Sequence, residues 1–488
     1  MVHSTPHGMS AAAAQSRPRK QSRRQKFPNG VPGLWRVLVV AAAATVLACQ
    51  LLAPPIVGMA DNGDFSKLIG QYGLTSPAYY EYVGIRYPFR PNYNYDPGFR
   101  SSEQLFLRTA IVLEEAAGGD GSLDVRVVGI VHGALFLVAL SLFLPLLTGS
   151  RRAVQLVYCG AVLFVFTDVM YVSYLNSLYM DVSALLTLML AAVFYLRAIR
   201  WRRRADAILF AASSLILISS KPQYAPAALW IAALMWIARE PLWNGRKSAA
   251  LGCAALMLIG GWATMRFAAP PGYSANNCFN MVFFQILPHA RDANRTLREL
   301  GLDASDRVWI GKTAYSPGSK MGDPEFSKEF ARKVSYARLA RFYLTHPRDT
   351  WRSLRNGLAQ AGRERERVGN WPVTAGKPPL GESRSFALWS DLKFRLFYGH
   401  AWRLLLSFLG VAALVLILAA KQQPGPAAMA GALVLFGTAL TQMLIASLAD
   451  ALDLARHHLL FHAEFDMLVL AALWLGIRRI GAKGAAIA

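Results

Sequence analysis

Two carboxylates, Asp61 and Asp64, stand in the stretch Asp61-Asn62-Gly63-Asp64-Phe65, directly after an apolar run that ends at Ala60. A carboxylate can deprotonate an attacking hydroxyl, and one such base suffices for inversion at a sugar carbon because the leaving group departs from the opposite face. A phosphate leaving group needs no general acid; it needs cations. Lys221 and Arg456 supply fixed positive charge between apolar runs, and His457 and His458 follow Arg456. Comparable polar positions are Asn62, then Asn176, Tyr179 and Asp181 in Tyr174-Leu175-Asn176-Ser177-Leu178-Tyr179-Met180-Asp181, Gln223 in Lys221-Pro222-Gln223-Tyr224, and Asp453. Asp61 and Asp64 are therefore the candidate catalytic residues, and the others are candidate substrate-binding residues.

The same residues also have plainer explanations. Asp-Asn-Gly-Asp is a turn sequence, since Asn and Gly accept positive φ and Asp caps a following helix. Asp181 fits a helix cap, and Lys221-Pro222 a helix end with a snorkelling lysine. Adjacent histidines do not share a helical face as an i, i+4 pair does, so His457 and His458 argue against zinc. Metal dependence is open, because two carboxylates on a turn can bind Mg²⁺ or Mn²⁺ or act without a metal. The expectation is that one carboxylate orders the turn while the other faces the reacting groups, with Asp61, nearer the membrane, in the second role. Glu114-Glu115 and the run Arg363 to Arg367 read as solvated faces. Glu464 and Asp466 lie deeper in an apolar run and need partners, expected in Arg456 or His462.

Positioning these groups requires a membrane. Of the 488 residues, 54% are hydrophobic and only 17% charged, which is too apolar for a soluble chain of this length. The formal charge of +23 lies largely beside apolar runs, where anionic lipid headgroups rather than nucleic acid are the expected partner. Cys49, Cys159 and Cys253 fall inside apolar runs and Cys278 stands alone, so no disulfide framework or Cys/His metal site is indicated. Residues 1–33 form a basic cytoplasmic tail too polar to fold alone. Apolar runs at about 34–59, 125–147, 153–175, 182–199, 206–220, 223–238, 248–268, 402–420, 427–448 and 458–477 predict ten spans. Arg151-Arg152, Arg202 to Arg204, Arg246-Lys247, Lys421 and Arg478-Arg479 all then fall on the side of the basic amino terminus. Both termini are accordingly expected in the cytoplasm.

The resulting expectation is an all-α polytopic membrane protein with about ten transmembrane helices. Residues 34–268 hold spans one to seven with a first outer loop at 60–124, residues 269–401 a large outer loop, and residues 402–488 spans eight to ten and a short cytoplasmic tail. Phe326 to Tyr343, Trp351 to Ala361 and Ser385 to Tyr398 mix apolar residues at helical spacing with cations, the pattern of interfacial helices. The candidate residues named above collect on the outer face.

With an acidic motif directly after the first span, about ten spans and a large late outer loop, the chain resembles the GT-C class of integral-membrane glycosyltransferases. The stretches DNGDF, YLNSLYMD and KPQY resemble bacterial membrane proteins assigned to glycan hexose transfer. The resemblance implies a polyprenyl-phosphate-linked sugar donor and an acceptor that is a glycan, lipid or protein, at the outer face of the cytoplasmic membrane. It also implies that an Asp of the first loop, Asp61 or Asp64, acts as general base or binds a metal. The rival expectations are a transporter or flippase for a lipid-linked glycan, and a glycan polymerase or ligase that uses cations of the 269–401 loop. No internal repeat supports the transporter folds built on repeated halves.

Overall fold

A computed structural model describes residues 33–90, 98–148, 150–422 and 425–487. The basic tail expected over 1–33 thus lies almost wholly outside the described residues. Every predicted apolar run forms helix: α1 (Leu34–Leu51), α2 (Glu103–Ala116, in the first loop), α3 (Val125–Phe143), α4 (Arg152–Phe166), α5 (Val169–Leu175), α6 (Asp181–Trp201), α7 (Arg204–Ile218), α8 (Ala227–Ile237) and α9 (Lys247–Phe267). The large loop adds α10 (Pro324–Lys333), α11 (Tyr336–Thr345), α12 (Pro347–Ala361) and α13 (Leu388–Phe397), and the bundle closes with α14 (Ala401–Lys421), α15 (Pro426–Leu448) and α16 (Leu459–Ile487).

The count of full spans is smaller than ten. Among the described residues seven helices are long and apolar enough to cross a membrane, or eight if α4 and α5, bent by 61°, make one span. The bend arises because α4 stops at Thr167 and Asp168 caps a new helix, its carboxylate accepting the Met170 N–H at 2.9 Å. Helices α7 and α8, with 15 and 11 residues, reach only about 22 and 17 Å at ~1.5 Å per residue, against a hydrocarbon core of ~30 Å. The first span also ends at Leu51 rather than near Met59. Pro54 and Pro55 cannot continue a helix, and the residue before a proline is pushed out of the helical region.

Helix α6 is the axis of the bundle. Fifteen of its residues are buried, and a helix apolar all round is one that has neighbours on every side. Helix α9 instead turns Leu251, Leu258, Ile259, Trp262 and Met265 outward, as a lipid-facing helix does. The loop 60–124 contains a short antiparallel ribbon, β1 (Arg86–Pro88) against β2 (Ser122–Asp124), with Arg86 opposite Asp124. The large loop has its own small core around Phe279, Phe283, Trp309, Phe330 and Leu339. Beyond α12, the segment 369–371 pairs through its backbone with the first loop: Ala60 N–H donates to Gly369 O at 2.9 Å, Gly369 N–H to Tyr80 O at 2.7 Å, and Val83 N–H to Trp371 O at 2.9 Å. Those bonds join the loop 60–124 to the loop 269–401.

Candidate active site

The motif after α1 is a turn held by its own side chains. Asp61 Oδ1 accepts the N–H groups of Gly63 at 2.7 Å and Phe65 at 3.1 Å, and Asn62 Oδ1 accepts that of Asp64 at 3.2 Å. Gly63 takes φ +97°, a left-handed conformation that glycine adopts without strain. The turn is fastened to the bundle by Tyr179, whose hydroxyl donates to Ala60 O at 2.8 Å and accepts from Asn62 N–H at 3.2 Å. Its outer end is tied by Asn62 Nδ2, which donates to Asp453 Oδ2 at 2.6 Å.

Arg456 organises the charges beneath the turn. Its Nη2 donates to Asp64 Oδ2 at 2.5 Å and to Asp453 Oδ2 at 3.0 Å, and its Nη1 to Asp181 Oδ2 at 3.4 Å. The guanidinium lies 4.6 Å from the centre of the Tyr179 ring, so the face not spent on carboxylates rests on an aromatic. Asp181, at the start of α6, also receives Lys221 Nζ at 3.4 Å and the Tyr224 hydroxyl. Lys67, three residues after Asp64 on a helical turn, pairs with Asp64 Oδ1. Gln223 Nε2 donates to His457 O at 2.7 Å, and His457 Nδ1 lies 3.0 Å from Asp450 Oδ2. Glu366, from the large loop, faces the Arg456 N–H at 3.5 Å.

These neighbours set the proton affinities of the two aspartates in opposite directions. Burial pushes the Asp61 carboxyl above its ordinary value, against the backbone bonds that favour its charged form. Burial would raise Asp64 too, but Arg456 and then Lys67 outweigh it and hold that carboxyl well below the usual carboxylate range.

The expected residues divide accordingly. Asn62, Asp64, Tyr179, Asp181, Lys221, Asp453 and Arg456 meet in one network, with Gln223 and His457 at its margin. Of the two aspartates, Asp61 is the one whose Oδ1 orders the turn, and Asp64 is the one that faces the cations. Asn176 stands apart, its Nδ2 tying down Leu51 O and Val57 O at 2.8 and 2.9 Å, and so shapes the exit from α1 rather than the charged network. His458 also points elsewhere, to Ser447 Oγ at 3.0 Å and Leu454 O at 2.6 Å. Lys67, Tyr224 and Glu366 were not anticipated. The Asp64-to-Lys67 spacing of i, i+3 was the visible signal for the first. Both Asp64 oxygens and Asp61 Oδ1 are engaged by protein groups, whereas Asp61 Oδ2 is buried without a hydrogen-bond partner. Among the described residues no three His, Cys, Asp or Glu side chains converge to hold a metal.

A second buried network flanks the first. Lys393 Nζ lies 3.1 Å from both Glu364 Oε1 and Asp466 Oδ1 and 3.2 Å from His462 Nδ1, while Tyr171 and Trp389 donate to Asp466 Oδ2 at 2.7 and 2.9 Å. Asp466 is therefore partnered by Lys393, not by Arg456. The run Arg363 to Arg367 is no solvated face either: Glu364 and Arg365 are buried, and Arg365 donates to Asn370 Oδ1 at 3.1 Å and Ser383 O at 2.9 Å. Helix α13 turns Leu388, Leu392 and Leu396 outward, as an interfacial helix does, and Lys393 inward. The inward lysine is tolerated because the Asp466 carboxylate and the Glu364 carboxyl group meet it.

The family described as YfdI N-terminal transmembrane domain matches residues 22–483 of this chain. Among solved structures, the chain is similar to the archaeal oligosaccharyltransferase AglB from Archaeoglobus fulgidus, solved in complex with an inhibitory peptide and a dolichol-phosphate. The sequence identity is 12% and the TM-score 0.40. The match covers 93% of this chain and 52% of AglB, so the chain spans about half the length of that protein. No curated protein matches the chain.

Proposed function

We propose, from the premise that the chain belongs to the YfdI N-terminal transmembrane domain family, a polytopic membrane family of the GT-C kind, that it is an inverting glycosyltransferase. It moves a sugar from a polyprenyl-phosphate donor onto a glycan, lipid or protein acceptor at the outer face of a bacterial cytoplasmic membrane, with both termini cytoplasmic. The observation that carries this reading is the meeting of Asp64 with Lys67, Lys221 and Arg456 at the mouth of a membrane bundle, where Asp64 and Lys67 are the part-exposed members. Asp64 takes the proton of the acceptor hydroxyl as the acceptor oxygen bonds to the anomeric carbon. The bond from that carbon to the donor's phosphate oxygen breaks, and the phosphate leaves with the electron pair. Lys67 and Arg456 hold the phosphate and its growing charge, which is stabilisation that a site sheltered from water makes effective. Asp61 positions Asp64 through the turn, and no step is routed through a metal.

Reconstitution with a labelled polyprenyl-phosphate sugar tests the assignment. Asp64→Asn is expected to lower turnover on the order of 10³-fold, within the usual range for a general base. Asp61→Asn, which keeps an acceptor oxygen for the turn, is expected to lose about tenfold or less, since it acts only through placement. Full turnover in Asp64→Asn would remove the base from the scheme.

A further inference from the structure

The geometry points to a donor-gated base: in the site as it stands Asp64 occupies the phosphate's place on Lys67 and Arg456, and the arriving phosphate group must displace it. This rests on the transferase reading and adds the order in which the site becomes active.

Charge balance is the first reason. Lys67, Lys221 and Arg456 bring three positive charges, and the carboxylates paired with them, Asp64, Asp181 and Asp453, bring three negative ones. A buried set that is already neutral cannot take a phosphate without over-filling with negative charge, so one carboxylate has to give up its cations. Access is the second reason. The side chains of Asp453, Lys67 and Asp64 are 30%, 24% and 18% exposed, whereas Arg456 is 2%, Lys221 5% and Asp181 0% exposed. A phosphate that reaches Lys67 Nζ and Arg456 Nη2 together has to take the position of Asp64, the one carboxylate paired with both.

Which carboxylate moves is decided by how each is held. Asp181 is fully buried and also receives the Tyr224 hydroxyl, and Asp453 is fastened by Asn62 Nδ2 at 2.6 Å. Asp64 follows Gly63, where an added Cβ would meet nothing within 4 Å, so the space beside this part of the turn is open to a displaced side chain. In the exchange the phosphate oxygens accept from Arg456 Nη2 and Lys67 Nζ, and no covalent bond changes. Asp64, freed from both cations, regains ordinary carboxylate basicity beside the acceptor. The base is strong only when the donor is in place.

The test is binding rather than turnover, with the full chain in phosphatidylcholine nanodiscs and polyprenyl phosphate as the probe. Removing the internal competitor should help the ligand, so Asp64→Asn is expected to bind polyprenyl phosphate about tenfold more tightly than wild type while being inactive. Equal or weaker binding by Asp64→Asn, at an unchanged unfolding midpoint, overturns the gate but leaves the transferase reading standing if wild type binds. No binding by either protein overturns both. Phosphatidylglycerol is the comparison ligand: a gain for it as large as that for polyprenyl phosphate means that the site takes a phospholipid headgroup, and the donor gate falls. Should Asp64→Asn not fold, infrared difference spectra of wild type with ¹³C-labelled aspartate decide. Polyprenyl phosphate should shift an aspartate carboxylate band, and a spectrum in which none moves overturns the gate.

Discussion

Arg456 has carboxylates on both terminal nitrogens and almost no contact with solvent, so removing its charge takes a cation from Asp64, Asp181 and Asp453 at once and leaves Asp453 with no cation. Breaking a buried ion pair by deleting one partner costs about 3–5 kcal/mol. Arg456→Met is therefore expected to lower the unfolding midpoint clearly in detergent, read by tryptophan fluorescence on heating. Arg456→Lys keeps the charge but lacks the planar fork, and is expected to retain most of the stability while losing turnover, because one ammonium cannot reach three carboxylates in the same geometry. Equal behaviour of the two variants would mean that charge alone matters here. Tyr179→Phe deletes the hydroxyl that bridges Ala60 and Asn62, at a cost of about 1 kcal/mol for its hydrogen bonds.

At the scale of elements, the segment from Glu364 to Trp371 links the two buried networks. An added Cβ at Gly369 would lie 2.0 Å from the Glu81 carbonyl oxygen, and backbone cannot yield as a flexible side chain does. Gly369→Ala is expected to cost about 1–3 kcal/mol and to lower turnover by shifting Ala60 and Glu366, seen as a lower unfolding midpoint together with a lower kcat. Burial pushes the Glu364 carboxyl up to about 8, although Lys393 opposes the shift. A carboxyl whose folded pKa is raised lends stability below its unfolded value, near 4.5, and that stability drains away as pH rises through about 8. Between those limits wild type should lose about 1.4 kcal/mol per pH unit relative to Glu364→Gln. Parallel unfolding midpoints of the two proteins from pH 5 to 8.5 would contradict the assignment.

At the scale of the molecule, the open matter is which side of the membrane the site faces. The proposed topology, argued from the positive charges beside the short connections, has the amino terminus in the cytoplasm and the loop 269–401 outside. Leu344, on α11, is 85% exposed and so makes a good reporter, whereas Leu178 at 1% is closed to any reagent. A cysteine at position 344 is expected to react with a membrane-impermeant maleimide in intact cells. Reaction only after permeabilisation would put the loop, and the site beneath it, in the cytoplasm. Helices α7 and α8 bear on the same matter, because neither is long enough alone to cross a bilayer of ordinary thickness.

The apolar runs, the turn at Asp61–Asp64 and the membrane-boundary residues Asp181, Lys221 and Arg456 were legible in the order of residues, because each signal is local: apolar length, turn chemistry, and charge beside a span. Local signals say which groups lie near the membrane boundary. They cannot say which side of a turn a carboxylate takes: Phe65 and Gly63 offer N–H groups to Asp61, and Arg456 a guanidinium to Asp64. Nor can they find Lys393, whose place on α13 reads as a water-facing cation until Asp466 and Glu364 arrive from elements 73 and 29 residues away. A charge enters a low-dielectric interior only where opposite charge already waits, and that condition is met by the packing of distant segments. Only the tertiary structure could decide it.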